Sequence, residues 1–383
     1  MISKKKPLLI IAWASIIFNF HFLFFNPIHA QDSNRIALQV DAGHFFQNNE
    51  FFGRHAEGYT LPGFYLQPKM IWHVDPRVTF EVGAHWLHFW GAHNYPAGTT
   101  YGIWPLQDDS LSTPIHLLPW IRTDVYFNDF LTLTLGNLHN NICHRLPLPL
   151  YNPERQYAAD PEAGVQLQAC YKHLQADVWI DWREFIWQRS NRQEQFFFGT
   201  SLKGNLYFGD HWTLYLPMHF IAQHIGGQGL AEHKPVQTHF NAAAGLGVHY
   251  SQSPWNASAE CYAIGYTRKG ISEVPFNKGR GVYPTLRIGY DNTTLDVGYW
   301  QGHGFLPLLG SQLFSNIGET SYETNVFHRC HLLTVGARYE WHQFRYCNIS
   351  VEGRYYNYLV TENASQYSFG IFLDLHPTLT LLR

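Results

Sequence analysis

The sequence predicts an all-β chain that crosses a membrane as a closed antiparallel barrel of about sixteen strands, and three observations carry that prediction. Apolar and polar residues alternate in segment after segment. The connections between segments alternate short and long. The composition is also unlike that of a soluble domain: charged residues make up 14% and aromatic residues 17%, with 13 Trp and 23 Tyr, against roughly 25% charge in typical soluble chains. A period of two is the signature of a strand, because successive side chains point to opposite faces. No sustained 3.6-residue period occurs beyond the first thirty residues. Low charge with alternation predicts apolar side chains that face outward as well as, or instead of, inward.

The first thirty residues read as a cleaved secretory signal. Lys4, Lys5 and Lys6 form a basic start, the stretch from Pro7 to Phe25 is apolar, and Ile28-His29-Ala30 ends on a small residue before Gln31. The expected domains are therefore a signal peptide, 1–30, and a barrel, 31–383. No later run approaches the ~18 apolar residues of a transmembrane helix. The chain is mildly acidic, with a net charge of −3, which argues against nucleic acid as a partner. Five cysteines are an odd set for an exported chain and read as unpaired thiols in strands.

Sixteen alternating segments follow, at 35–45, 64–74, 78–90, 114–127, 131–138, 162–171, 174–184, 194–207, 211–222, 236–250, 255–268, 280–290, 293–302, 328–340, 343–357 and 366–376. Seven short turns interleave with eight long loops. That is the count a sixteen-stranded barrel needs with short periplasmic turns, long extracellular loops and both termini on the periplasmic side.

The clearest hairpin is 280–302. Asp291-Asn292 suits a two-residue turn, since both residue types tolerate positive φ. That turn sets Tyr290 against Thr293, Ile288 against Leu295 and Leu286 against Val297, with Arg287 opposite Asp296 on the other face. Around Lys172-His173, Tyr171 faces Leu174 and Leu167 faces Val178. Around 75–77, Trp72 faces Phe80. A two-residue turn at Trp341-His342 would set Tyr339 against Phe344. The apolar parity beside the short turns is aromatic, at Trp72, Tyr171, Trp212, Trp255, Tyr290, Tyr339 and Phe344. Such rings favour the boundary between apolar and wet surroundings and are expected to form a periplasmic girdle. The opposite parity carries charges of both signs. A barrel this wide has room for water around them, so the expected lumen is hydrated.

In this alternation and count the mature chain resembles the porin-like outer-membrane β-barrels of Gram-negative bacteria. The resemblance is architectural and covers about 31–383. It implies an outer-membrane location and passive or weakly selective diffusion of small hydrophilic solutes. Outer-membrane lipid and the insertion machinery are implied partners, and a homotrimer is an expected assembly. Two departures stand out. The chain ends on Arg383 rather than on an aromatic residue, some seven residues beyond the last segment. Pro68, Pro119, Pro217 and Pro284 fall within strands, where each removes a ladder donor; bulge or rim positions are expected for them.

The expected lumen-lining residues are Arg122, Asp124, Lys203, Glu260, Arg287 and Asp296. By analogy with general porins, the third outer loop, 139–161, is expected to fold inward. Glu154, Arg155 and Asp160 would then face Arg122, Asp124 and Lys203 as a constriction. The longer loop 303–327 is the other candidate plug. His85, His88, His93, His139 and His144 read as polar aromatics at the rim, with no metal or other cofactor expected.

No nucleophile, base and orienting group appear together. The only His-x-Ser, His249-Tyr250-Ser251, falls inward at a periplasmic turn, where a lipid hydrolase of the outer leaflet could not use it. The chain is therefore expected not to be an enzyme. A plugged barrel serving as an adhesin or assembly partner is the first alternative, and a lipid-modifying hydrolase the second.

Overall fold

The computed structural model describes residues 34–89, 115–140, 143–184, 193–227, 235–320, 323–341, 344, 346–360 and 365–382. The signal segment 1–30, His342 and the whole 91–113 loop, with His93, lie outside the described residues. In chain order the strands are β1 (Arg35–Glu50), β2 (Tyr59–Asp75), β3 (Val78–Phe89), β4 (Ile115–Asn128), β5 (Leu131–Asn137), β6 (Ala163–Tyr171) and β7 (Leu174–Glu184). They continue as β8 (Gln195–Phe208), β9 (Trp212–Ile225), β10 (Gln237–Gln252), β11 (Trp255–Gly270), β12 (Lys278–Tyr290) and β13 (Thr293–His303). Two short strands within a loop, β14 (Ile317–Glu319) and β15 (Thr324–Val326), precede β16 (Cys330–Trp341), β17 (Cys347–Tyr358), β18 (Ser365–Leu375) and β19 (Thr378–Leu382).

Sixteen long strands pair antiparallel, each with its sequence neighbours, and β1 closes the ring on β18. The location is the outer membrane, with the short turns periplasmic and the long loops extracellular. The register of the 280–302 hairpin is as the alternation predicts: Tyr290 opposes Thr293, Leu286 opposes Val297 and Arg287 opposes Asp296. Asp291 takes φ 50° at the turn. The pairings around Lys172-His173 and around 75–77 also agree.

Two local expectations need correction, and the C-terminal departure finds its place. The β16–β17 turn is longer than two residues: Tyr339 opposes Val351, not Phe344, and β17 begins only at Cys347. The extra C-terminal residues are not a loose tail. Past His376-Pro377 the chain resumes as β19 and pairs with Ile36–Gln39, completing the seam that β18 makes with Ala42–Glu50. The prolines lie inside strands rather than at the rim, each in register with one neighbour, and the ladder to the other neighbour skips Pro68, Pro217 and Pro284. Between β12 and β13 the pairing jumps from Val282–Gln301 to Thr285–Gly298 across Pro284, so the missing donor costs no bond there.

The largest correction concerns the lumen. Its inner half is polar as expected, but much of the outer half is filled by an apolar cluster. Trp179, Phe197, Ile221, Tyr262, Tyr283, Trp300, Leu332 and Tyr358 point inward and are buried. They pack against Phe305, Leu306, Leu308, Leu309, Leu313, Phe314 and Ile317 of the loop after β13, and against Leu146, Leu150 and Tyr151 of the third loop. Asn241 holds the plug to the wall: it donates to the Leu306 carbonyl (2.9 Å) and accepts from the Leu308 N–H (2.9 Å). Both inturned loops thus bury their apolar residues against an apolar section of wall, which the hydrophobic effect favours at about 25 cal/mol per Å².

Candidate functional site

The third loop is held in the lumen at two ends. At one end, Cys143, His144 and Arg145 all adopt left-handed backbone, with φ of 50°, 49° and 58°. Each such non-glycine residue costs roughly 1–3 kcal/mol and persists only where its surroundings enforce it. The enforcement is an ionic cluster. His144 is fully buried and its ring stacks on Trp179 at 3.7 Å between centroids. Its Nε2 lies 2.6 Å from Glu162 and its Nδ1 2.9 Å from Asp177. Tyr151 donates to Glu162 (3.1 Å) and Gln166 to Asp177 (2.8 Å). Burial alone would push the imidazole down, but the two carboxylates outweigh it and raise it to about 9. Both ring nitrogens then donate, and His144 is an imidazolium at neutral pH. It clamps the loop and has no lone pair with which to take a proton.

At the other end, the single helical turn Arg155–Ala158 docks on the inner face of β1–β3 and β18. Tyr157 packs between Phe45 (4.9 Å) and Phe372 (5.1 Å). This docking delivers Glu154 to the outer mouth of the barrel, beside the last residues of β1 and the first of β2. The Tyr59 hydroxyl donates to both carboxyl oxygens, at 2.8 and 2.7 Å. Gln47 donates at 3.1 Å and Asn49 at 3.4 Å. Burial is the dominant influence and, against these hydrogen bonds, pushes Glu154 up to about 7. Glu154 borders a lumenal cavity of about 610 Å³, which is also lined by Lys69, Arg122, His139, Arg155 and Arg354. A carboxyl that exchanges its proton near neutrality, beside a polar cavity, is equipped for general acid–base work.

The loop folds inward as the order of loops suggests, but its charges do not meet the expected partners. Glu154 binds Tyr59, Asn49 and Gln47. Arg155 lies among Arg183, Tyr151, Glu162 and Asp181. Asp160 pairs with His116 at 3.2 Å. Arg122 donates to the Asn137 and Leu138 carbonyls, both at 2.8 Å. Asp124 accepts from Thr134 at 2.6 Å and lies 3.0 Å from His139 Nε2. The reason is the start of the helical turn, which sends Glu154 to β1–β2 and Arg155 toward the residues of β6–β7.

On the inner half of the wall, Lys203 sits 3.8 Å over the Tyr215 ring, and that hydroxyl donates to Glu260 at 2.7 Å. Arg287 is across from Asp296 in register, but the Asp296 carboxylate is held by Arg354 at 2.7 and 3.1 Å. The reach of Arg354 from two strands away defeats the directly opposed pair. Trp72, Tyr171, Trp212, Trp255, Tyr290 and Tyr339 are exposed on the outward parity near the short turns, and Phe344 is exposed within one. His249 faces inward near a periplasmic turn. None of the five cysteines forms a disulfide.

The His144 cluster was not found from sequence, because its acids stand 18 and 33 residues away. The only local signal is a histidine between Cys143 and Arg145, just before the apolar, proline-rich run 146–150.

Among solved structures, the chain resembles a loop-deletion form of OmpT, an outer membrane protein of Vibrio cholerae. The TM-score is 0.50 at 11% identity, covering 90% of this chain and 100% of that one. OprD of Pseudomonas aeruginosa gives 0.48 at 10% identity, covering 94% and 100%. OccAB3 of Acinetobacter baumannii gives 0.47 at 10% identity, covering 90% and 99%. At these identities the likeness concerns the fold alone. No curated protein matches the chain. The family described as Lipid A 3'-O-deacylase-type matches residues 28–383. That match overturns the expectation of a non-enzymatic barrel. The expectation had rested on the absence of a local motif, and a site assembled from an inturned loop and two strand ends leaves none.

Proposed function

The chain belongs to the Lipid A 3'-O-deacylase-type family, and from that premise we propose that it hydrolyses an acyl ester of a lipid A-type glycolipid at the outer mouth of the barrel. The observation that carries the reading is Glu154: a buried carboxyl raised to about 7, held at the extracellular ends of β1 and β2 and bordering a polar cavity that runs from there down the inner wall past Lys69 and Asp41. As a carboxylate it takes a proton from a water molecule while the water oxygen attacks the ester carbonyl. The bond from carbonyl carbon to sugar oxygen then breaks, and the proton passes to the departing sugar hydroxyl. The products are a fatty acid and a deacylated glycolipid. Tyr59, Asn49 and Gln47 orient the carboxyl, and the His144 clamp holds the loop that carries it.

The apolar cluster across the outer half of the lumen gives no support to passive solute diffusion as the principal activity. The test is to incubate the refolded protein with lipid A in mixed micelles and weigh the lipid by mass spectrometry. Loss of one acyl chain, with the freed fatty acid recovered, is expected for the wild type and not for Glu154→Gln. The integrity of the variant is checked by its heat-modifiable mobility. Unaltered lipid with folded wild type, or equal release by the variant, would refute the proposal.

A further inference from the structure

A second surface, on the outside of the barrel, is built for a charged lipid headgroup. Along β11, β12 and β13 the outward parity is apolar from the periplasmic turns upward, through Ala257, Ala259, Ala263, Val282, Leu286, Ile288, Leu295 and Val297. At the extracellular end that same parity changes to Lys269, Lys278, Arg280 and His303, all exposed. Lys278 lies opposite Thr267, and Arg280 lies directly opposite His303. Arg329, also exposed, immediately precedes the Cys330 that pairs with Gly302. Directly opposed side chains on one face of a sheet stand about 4.5–5.5 Å apart, so these groups form one contiguous basic patch.

Its height is set by strand geometry. A rise of about 3.3 Å per residue and a tilt near 40° put Arg280 and His303 about 25 Å above the Tyr290 and Thr293 ends of their strands. That is the height of the apolar band of such barrels, so the patch begins where the acyl region of the outer leaflet ends.

Two further facts separate this patch from an ordinary solvated rim. Among the described residues, none of these cations is in an ion pair, and Glu273, the acid of the neighbouring 271–277 segment, is in none either. Elsewhere the outward rim carries different chemistry: Asn48, Glu50 and Thr60 on β1 and β2, Trp182 and Phe196 on β7 and β8, and His224 bonded to Thr238 on β9 and β10. Like charges placed side by side on a sheet destabilise it, and among the described residues no ion pair offsets that repulsion. A polyanion at the same height would.

We propose that the patch formed by Lys269, Lys278, Arg280, His303 and Arg329 binds the phosphate groups of a phosphorylated glycolipid in the outer leaflet and holds it against the barrel wall. The identification of the lipid rests on the lipid-directed reading above, and the patch is distinct from the Glu154 site, which opens on the lumen side of β1–β2.

The experiment uses the full-length Glu154→Gln protein, so that no lipid is consumed. Native mass spectrometry counts lipid A retained in detergent, against the same lipid after enzymatic removal of its phosphates. Retention of the phosphorylated form at least about tenfold over the dephosphorylated form is expected. Adding Lys278→Gln and Arg280→Gln should remove about a tenfold preference, while Lys172→Gln, at a periplasmic turn, should leave it intact. Equal retention of the two lipids overturns the proposal, as does an unchanged preference in the patch variant. So does displacement of the lipid by millimolar inorganic phosphate, which would mark a site for the free ion. A phosphate preference without hydrolysis by the wild type would sink the catalytic reading alone, and hydrolysis without that preference would sink this one alone.

Discussion

Raising the pH from 7 to 10 should release the third loop from the lumen, because the clamp depends on one proton. His144 is raised to about 9 in the fold from an ordinary 6.5; burial opposes the rise, and Glu162 and Asp177 more than offset it. A group whose folded value lies above its unfolded value contributes stability that is fully present below the unfolded value. That stability is lost as pH rises through the folded value. The gap corresponds to roughly 3 kcal/mol, about three quarters of it still present at pH 7, just above the unfolded value, and nearly all gone at pH 10. It would act locally, on the loop that His144 ties down. The population of the opened loop should then rise about a hundredfold between those pH values. Hydrogen exchange of the peptide covering 143–151, corrected for the base dependence of intrinsic exchange, reads this directly. His144→Gln should be open at both pH values. If protection of that peptide in the wild type is the same at pH 7 and pH 10, the imidazolium clamp is wrong.

Three further outcomes follow from particular contacts. A double-mutant cycle on Arg354 and Asp296 should give a coupling of about 1–3 kcal/mol in thermal or denaturant unfolding, while Arg287 and Asp296 should couple by under about 0.5 kcal/mol; the reverse order would restore the directly opposed pair. In planar bilayers the intact protein should show no steady conductance, and replacing 305–314 with a short Gly-Ser linker should open a current. Steady conductance of the intact chain would show that the apolar cluster does not seal the lumen. Deleting 378–382 removes the pairing of β19 with Ile36–Gln39 and should lower the temperature at which the barrel loses its heat-modifiable form; an unchanged temperature would make β19 dispensable to closure.

The barrel was legible in the sequence because its signal is local and repeated. Each strand states its own lipid face, and each short turn fixes a register, as Asp291-Asn292 does for Arg287 and Asp296. What fills the lumen was not legible for the same reason. Alternation says which residues point inward but not what they meet, and Trp179, Tyr262, Tyr283 and Trp300 on the inward parity look no different from scattered aromatics until the third loop and the loop after β13 are folded into the lumen. The site was hidden more deeply. Glu154 meets Tyr59 and Gln47 across 95 and 107 residues of chain, and no pattern in the third loop announces that its helical turn will dock on β1. The β16–β17 turn was misjudged because a two-residue turn sets Tyr339 against the even-numbered Phe344, whereas its partner is the odd-numbered Val351, so the turn was placed both too short and on the wrong parity of β17.

The account stands most directly on the rate of fatty-acid release from lipid A as a function of pH. With Glu154 as the base, the wild-type rate should be low at pH 5 and climb through about pH 7 as the carboxyl ionises. Glu154→Gln should lose at least about a hundredfold in rate, in keeping with the contribution of a positioned general base. A flat profile across pH 5–8, or a Glu154→Gln rate within a few-fold of the wild type, would contradict it.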